Sequence, residues 1–237
     1  AVGYGALTAN TTGAHNTGIG QAALGANTTG ADNTAVGSEA GDALTTGSNN
    51  IALGRGALST EDTGGRSVAV GVNALGQQNV DGNVYNTAIG HAAGNNVTTG
   101  TLNTLGGALA GDAITTGTAN TLFGYNAGGA ITTADGNTAF GKDALESVTT
   151  GVNTAVGGNA LAAVTTAAGN TAVGQDALSV TTAEKNTAVG AYALDTNSTG
   201  VRNTAVGWAA MDANTTGSYN VAVGYASLDA NTTGAEN

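Results

Sequence analysis

A five-residue motif, typified by Asn33-Thr34-Ala35-Val36-Gly37, recurs along the whole of this 237-residue chain. Its closing glycine sets a phase: Gly3, Gly20, Gly37, Gly54, Gly71, Gly90, Gly107, Gly124, Gly141, Gly157, Gly174, Gly190, Gly207 and Gly224. Of the thirteen intervals, ten are 17 residues, two are 16 and one is 19. A period so short and so constant is the mark of near-identical coils stacked one on another. The expected fold is all-β, a parallel β-solenoid (β-roll) of about 14 coils with a 17-residue repeat. No linker or change of composition interrupts residues 1–237, so a single continuous array is expected.

Composition then narrows what such an array can do. The absence of cysteine removes disulfides and thiolate metal sites, and 40 glycines without proline exclude collagen. Alanine and valine dominate the apolar residues, against two phenylalanines and one tryptophan, which suits a narrow core. Sixteen acidic residues against five basic ones, a net charge of −11, argue against a nucleic-acid partner. No apolar run approaches the ~20 residues needed to span a bilayer, so no membrane insertion is expected. The chain opens in mid-motif at Ala1, which reads as a processed chain or a segment of a longer array.

Numbering each repeat from its phase glycine separates the columns. Position −3 is threonine, isoleucine or valine, as in Thr34, Ile51, Val68 and Val221; position −1 is a bulky apolar residue except at Gly106; the residue between is nearly always alanine. Large, small, large is strand alternation, and β-branched residues favour it. A strand of about five residues per coil follows. Position −4 is asparagine in twelve of thirteen copies, Asn16, Asn33, Asn50, Asn86, Asn103, Asn120, Asn137, Asn153, Asn170, Asn186, Asn203 and Asn220, with Ser67 the exception. Stacking sets these amides in a column where each can bond to the next, a structural ladder.

Positions +3 and +4 read Ala-Leu, as in Ala23-Leu24 and Ala57-Leu58. Four coils put glycine at +4 instead (Gly41, Gly94, Gly111, Gly128) and carry Leu44, Val97, Ile114 and Ile131 three residues later, which reads as one core space filled from two points. The following Asn-Thr-Thr-Gly, as at Asn27 to Gly30, is expected to turn the chain through positive φ. Its matches to the N-x-[ST] glycosylation pattern read as incidental to that turn.

The repeat resembles the head repeats of YadA-type trimeric autotransporter adhesins and related arrays in phage tail fibres and bacterial surface proteins. The resemblance rests on Asn33-Thr34-Ala35-Val36-Gly37 and its relatives and covers the whole chain. It implies a left-handed β-roll, three chains side by side, and extracellular display on a bacterial cell or virion. The familiar head repeat is shorter, so each coil here is wider or carries a longer turn, and nothing resembles a coiled-coil stalk or membrane anchor.

Chemistry is sparse. His15 and His91 fall in different phases of different coils and read as exposed polar residues, and no nucleophile–base set, phosphate loop or HExxH motif occurs. Neither an enzyme nor a cofactor is expected. An acidic column, Asp42, Asp112, Glu146, Asp195, Asp212 and Asp229, lies at +5; it reads as solvated surface, with a calcium ladder the alternative. Position +1 varies freely and is expected to face solvent. Its aromatics Tyr4, Tyr125, Trp208 and Tyr225 are the candidate contacts for a glycan or protein receptor.

The function expected is a structural, adhesive extracellular fibre element. Fourteen coils at ~4.8 Å make a rod roughly 65–70 Å long. Self-association is expected side by side as a homotrimer, and head-to-tail as a filament, because joining Asn237 to Ala1 would preserve the repeat phase. A receptor-binding phage fibre shaft and, in another class, an ice-binding solenoid are the alternatives.

Overall fold

The computed structural model describes residues 1–237 and contains β-strands and turns without a helix. The chain is a parallel β-solenoid. It falls into two compact units, Ala1–Asn120 and Thr121–Asn237. The first holds β1 (Thr17–Ile19), β2 (Thr34–Val36), β3 (Ile51–Leu53), β4 (Val68–Val70), β5 (Thr87–Ile89) and β6 (Thr104–Gly106). The second holds β7 (Thr121–Phe123), β8 (Thr138–Phe140), β9 (Thr154–Val156), β10 (Thr171–Val173), β11 (Thr187–Val189), β12 (Thr204–Val206) and β13 (Val221–Val223).

Within each unit every strand pairs in parallel with the next, and like columns face like: Thr34 with Ile51, Ala35 with Ala52, Val36 with Leu53. The register survives the irregular intervals. Val68 still pairs with Thr87 across the 19-residue repeat, and Thr171 with Thr187 across a 16-residue one. Insertions and deletions are therefore absorbed in the turns. The strands are three residues long rather than five, because the phase glycine ends each one.

The alternation runs small side inward. Alanine at −2 is buried in every strand that carries it, as are Leu105 and Leu122 where leucine replaces it, while positions −3 and −1 point outward. Ala23, Leu24 and their equivalents at +3 and +4 complete the core. A backbone close enough to stack coils at strand spacing leaves room for one small side chain from the strand, and the leucine reaches in from the opposite wall.

That leucine is held in a left-handed backbone: φ is 52° at Leu24, 54° at Leu58 and 55° at Leu145. The conformation costs about 1–2 kcal/mol for an L-residue, and full burial of a leucine returns about 1.5–3 kcal/mol. Glycine at +4 avoids the cost, and the side chain then enters from +7. A Cβ on Gly41 would sit 3.0 Å from Leu44 Cδ1 and 3.3 Å from Leu24 Cδ2, so the two arrangements do fill one space.

The turns depart from the sequence expectation. Asn27, Thr28, Thr29 and Gly30 are not left-handed; positive φ recurs at +2 (Glu39, 59°), +4 and −5 (Asp32, 58°). Gly30 is required instead by proximity, since a Cβ there would run into the Gly47 carbonyl oxygen. The phase glycines need both freedoms. Gly37 has φ 137°, and its Cβ would lie 2.6 Å from the Gly54 carbonyl carbon.

Candidate functional site

The position −4 amides are the most regular polar feature, and they bond to backbone more than to each other. Asn33 Oδ1 accepts the backbone N–H of Asn50 at 2.9 Å, while its Nδ2 donates to the Gly47 carbonyl at 2.8 Å. Asn186 repeats this with the N–H of Asn203 and the carbonyl of Gly200, both at 2.9 Å. Asn16 is half-buried; Asn33, Asn50, Asn86, Asn103, Asn120, Asn137, Asn153, Asn170, Asn186, Asn203 and Asn220 are buried. They link neighbouring coils by pairing a backbone N–H of the next coil and a turn carbonyl, Gly30, Gly200 and Gly217 accepting a second amide from Asn27, Asn197 and Asn214.

A second ladder, missed in the sequence, runs amide to amide at +7. Asn27 Nδ2 donates to Asn10 Oδ1 at 2.9 Å, Asn214 to Asn197 at 2.9 Å, and Asn231 to Asn214 at 3.0 Å. The residues read as turn formers because asparagine suits both roles. The same burial occupies the glycan-accepting nitrogens of the Asn27, Asn197 and Asn214 sequons.

Where Ser67 interrupts the first ladder, Gln78 fills in. Its Nε2 donates to Ser67 Oγ and to Glu61 Oε2, both at 2.9 Å, and its Oε1 accepts Asn86 Nδ2 at 2.9 Å. Glu61 is fully buried and also accepts the Gly64 N–H at 2.7 Å. Burial pushes its carboxyl above the ordinary value, against the opposing pull of Gln78, Gly64 and Val80.

On the outer surface, the −3 and −1 columns carry no charged residue. Ile89 is 51% exposed, Phe140 43% and Phe123 39%, and the two phenylalanine rings stack at 5.1 Å. Four successive strands, β9 to β12, have the identical sequence Thr-Ala-Val and present matched rows of threonine and valine.

Of the four aromatic candidates, Trp208 and Tyr225 are brought together, stacked at 5.1 Å with 11° between planes, and Tyr192 meets Trp208 edge-on at 6.0 Å. Trp208 is half-exposed; Tyr4 and Tyr125 are exposed on their own coils. One face of Trp208 is thus stacked on Tyr225, and Tyr225 is itself exposed.

The acidic column divides. Asp42 and Asp112 are half-buried, and burial raises both carboxyls. Asp195 is raised by burial first and by Asp212 more weakly, against a hydrogen bond from Ser179. Glu146 accepts Asn126 Nδ2 at 3.1 Å, and Asp229 is exposed near the chain end. No three acidic or histidine side chains converge closely enough to hold a metal ion. His15 is exposed beside Asp32 at 3.1 Å, and His91 is exposed on another coil.

At −5, two arginines each lie over the tyrosine of the following coil. Arg66 is 5.6 Å from the Tyr85 ring centre and donates to its hydroxyl at 2.8 Å; Arg202 is 5.3 Å from the Tyr219 ring and donates to that hydroxyl. A shallow pocket of about 170 Å³ lies beside Arg202, lined by Glu184, Lys185, Val201 and Arg202. No protein-family model, curated protein or solved structure matches the chain.

Proposed function

We propose that the chain is a structural element of an extracellular fibre, displayed on a bacterial cell or virion, that self-associates through its strand face and carries an adhesive surface. The observation that supports this best is the uncharged outer strand row. In-register columns of threonine and bulky apolar residues, without a single charge at −3 or −1, lie partly exposed on a chain of net charge −11. Contiguous exposed apolar rows on a soluble surface mark interaction sites. Identical rows on each copy suit a symmetric homo-oligomer, and a side-by-side homotrimer is the arrangement proposed.

Sedimentation velocity tests the reading. The chain is expected to sediment as a trimer at micromolar concentration, and Val189→Lys with Val206→Lys to shift it to monomer with its circular dichroism retained. A wild-type chain that stays monomeric at high concentration contradicts it.

Ice binding is a second reading, favoured by the four identical Thr-Ala-Val strands, whose rows repeat at strand spacing. Thermal hysteresis that disappears in a Thr187→Lys, Thr204→Lys variant would support it; no hysteresis removes it.

A further inference from the structure

The chain has five cationic side chains for sixteen acids, and only Lys185 and Arg202 occupy the same position in successive coils. Their pocket has a local cause in the sequence. The repeat from Gly174 to Gly190 has 16 residues and the next, from Gly190 to Gly207, has 17. The shorter coil omits its residue in the turn: Asn170 Nδ2 reaches Ala183 O thirteen residues on, where Asn186 reaches Gly200 O fourteen residues on. The omission lies directly before Glu184 and Lys185, and the pocket opens there, with Val201 as its apolar lining.

Arg202 is pre-positioned in it. Its guanidinium is held over the Tyr219 ring and donates one N–H to the tyrosine hydroxyl, leaving other donors of the planar fork free. A fixed fork beside a flexible ammonium is the arrangement that captures a carboxylate or sulfate. Glu184 already answers part of that demand, its Oε2 lying 3.8 Å from Lys185 Nζ.

We propose that Lys185 and Arg202 bind the carboxylate or sulfate group of an acidic saccharide in the pocket they line with Glu184 and Val201, outside the strands that form the self-associating face. This rests on the adhesive part of the function proposed above and not on trimer formation. Glu184 acts as a built-in competitor that a ligand must displace.

Isothermal titration with trigalacturonate and with a chondroitin sulfate tetrasaccharide tests this, with cellotetraose as the neutral control. Binding of either charged probe, weakening as salt rises, and none of cellotetraose, is expected; which probe binds separates carboxylate from sulfate. Arg202→Ala with Lys185→Ala is expected to weaken binding about tenfold or more, and Glu184→Gln to tighten it. Arg66→Ala, which disrupts the equivalent arginine–tyrosine pair where no second cation stands, is expected to leave it unchanged. Failure of both charged probes to bind, or equal loss in Arg66→Ala, overturns the proposal. Sedimentation of the same samples reports assembly separately, so a failed titration with an intact trimer refutes the saccharide site alone.

Discussion

Single residues hold this fold through pairings that repeat from coil to coil, so one substitution unties two coils at once. Removing the Asn203 amide leaves the Asn220 N–H without its partner and takes from the Gly217 carbonyl one of two donors, Asn214 Nδ2 being the other. Asn203→Ala is expected to destabilise the chain by about 1–3 kcal/mol in denaturant unfolding, the usual range for orphaned buried polar groups; a change within error would remove the ladder's structural role. The asparagine column was legible because its period matches the strand. The left-handed leucine at +4 was not. Leucine avoids positive φ in isolation, and only the closed coil, which buries that side chain, makes the strain tolerable.

At the scale of the element, one coil fills its core from +4, from +7, or from both where the +7 side chain is the smaller valine, as Leu145 with Val148 and Leu161 with Val164 are all buried. The +7 ladder runs from Asn10 to Asn27 and then meets Leu44, so Asn27 Oδ1 is buried without a partner. Gly41→Leu alone would crowd Leu44, and Leu44→Asn alone would leave a void. Together they restore the Leu-x-x-Asn pattern of the preceding coil and give Asn27 its missing donor. The double variant is expected to be more stable than the sum of the singles by about 0.5–3 kcal/mol. Strict additivity would mean that the two positions do not share a space. Alternation in the strand was likewise readable, but which side faces inward was not. Sequence order sets two faces and leaves the width of the coil to decide between them; here the coil admits alanine and turns valine, isoleucine and phenylalanine outward.

Over the whole molecule, acidic groups set the pH dependence. Glu61, Asp42, Asp112 and Asp195 all have carboxyls raised by burial, so the folded chain holds their protons more tightly than the unfolded one. By linkage, stability falls as pH rises from the ordinary values, 4.5 for Glu61 and 3.8 for the aspartates, through the raised folded values. Acidification from neutrality therefore stabilises. Asp143, lowered by Lys142, acts oppositely and only in a more acidic window, where its stabilisation is lost. Melting temperature is expected to rise as pH drops from neutrality towards the ordinary carboxyl values, with a shallower slope in Glu61→Gln; an unchanged slope would place that titration elsewhere.

The strand face ties these scales together, since its exposed rows are what the stack leaves over and what a neighbouring copy would cover. The chain contains no cysteine, so single cysteines report directly on that face. Val189→Cys, at −1 in β11, should react with a thiol probe under dissociating, still-folded conditions. In the assembled protein it should be protected and should form disulfide-linked chains on oxidation. Ala188→Cys, buried at −2, should stay protected in both states. Free reactivity of Val189→Cys at high concentration, with no cross-linked chains, would contradict the claim that the strand face joins copies.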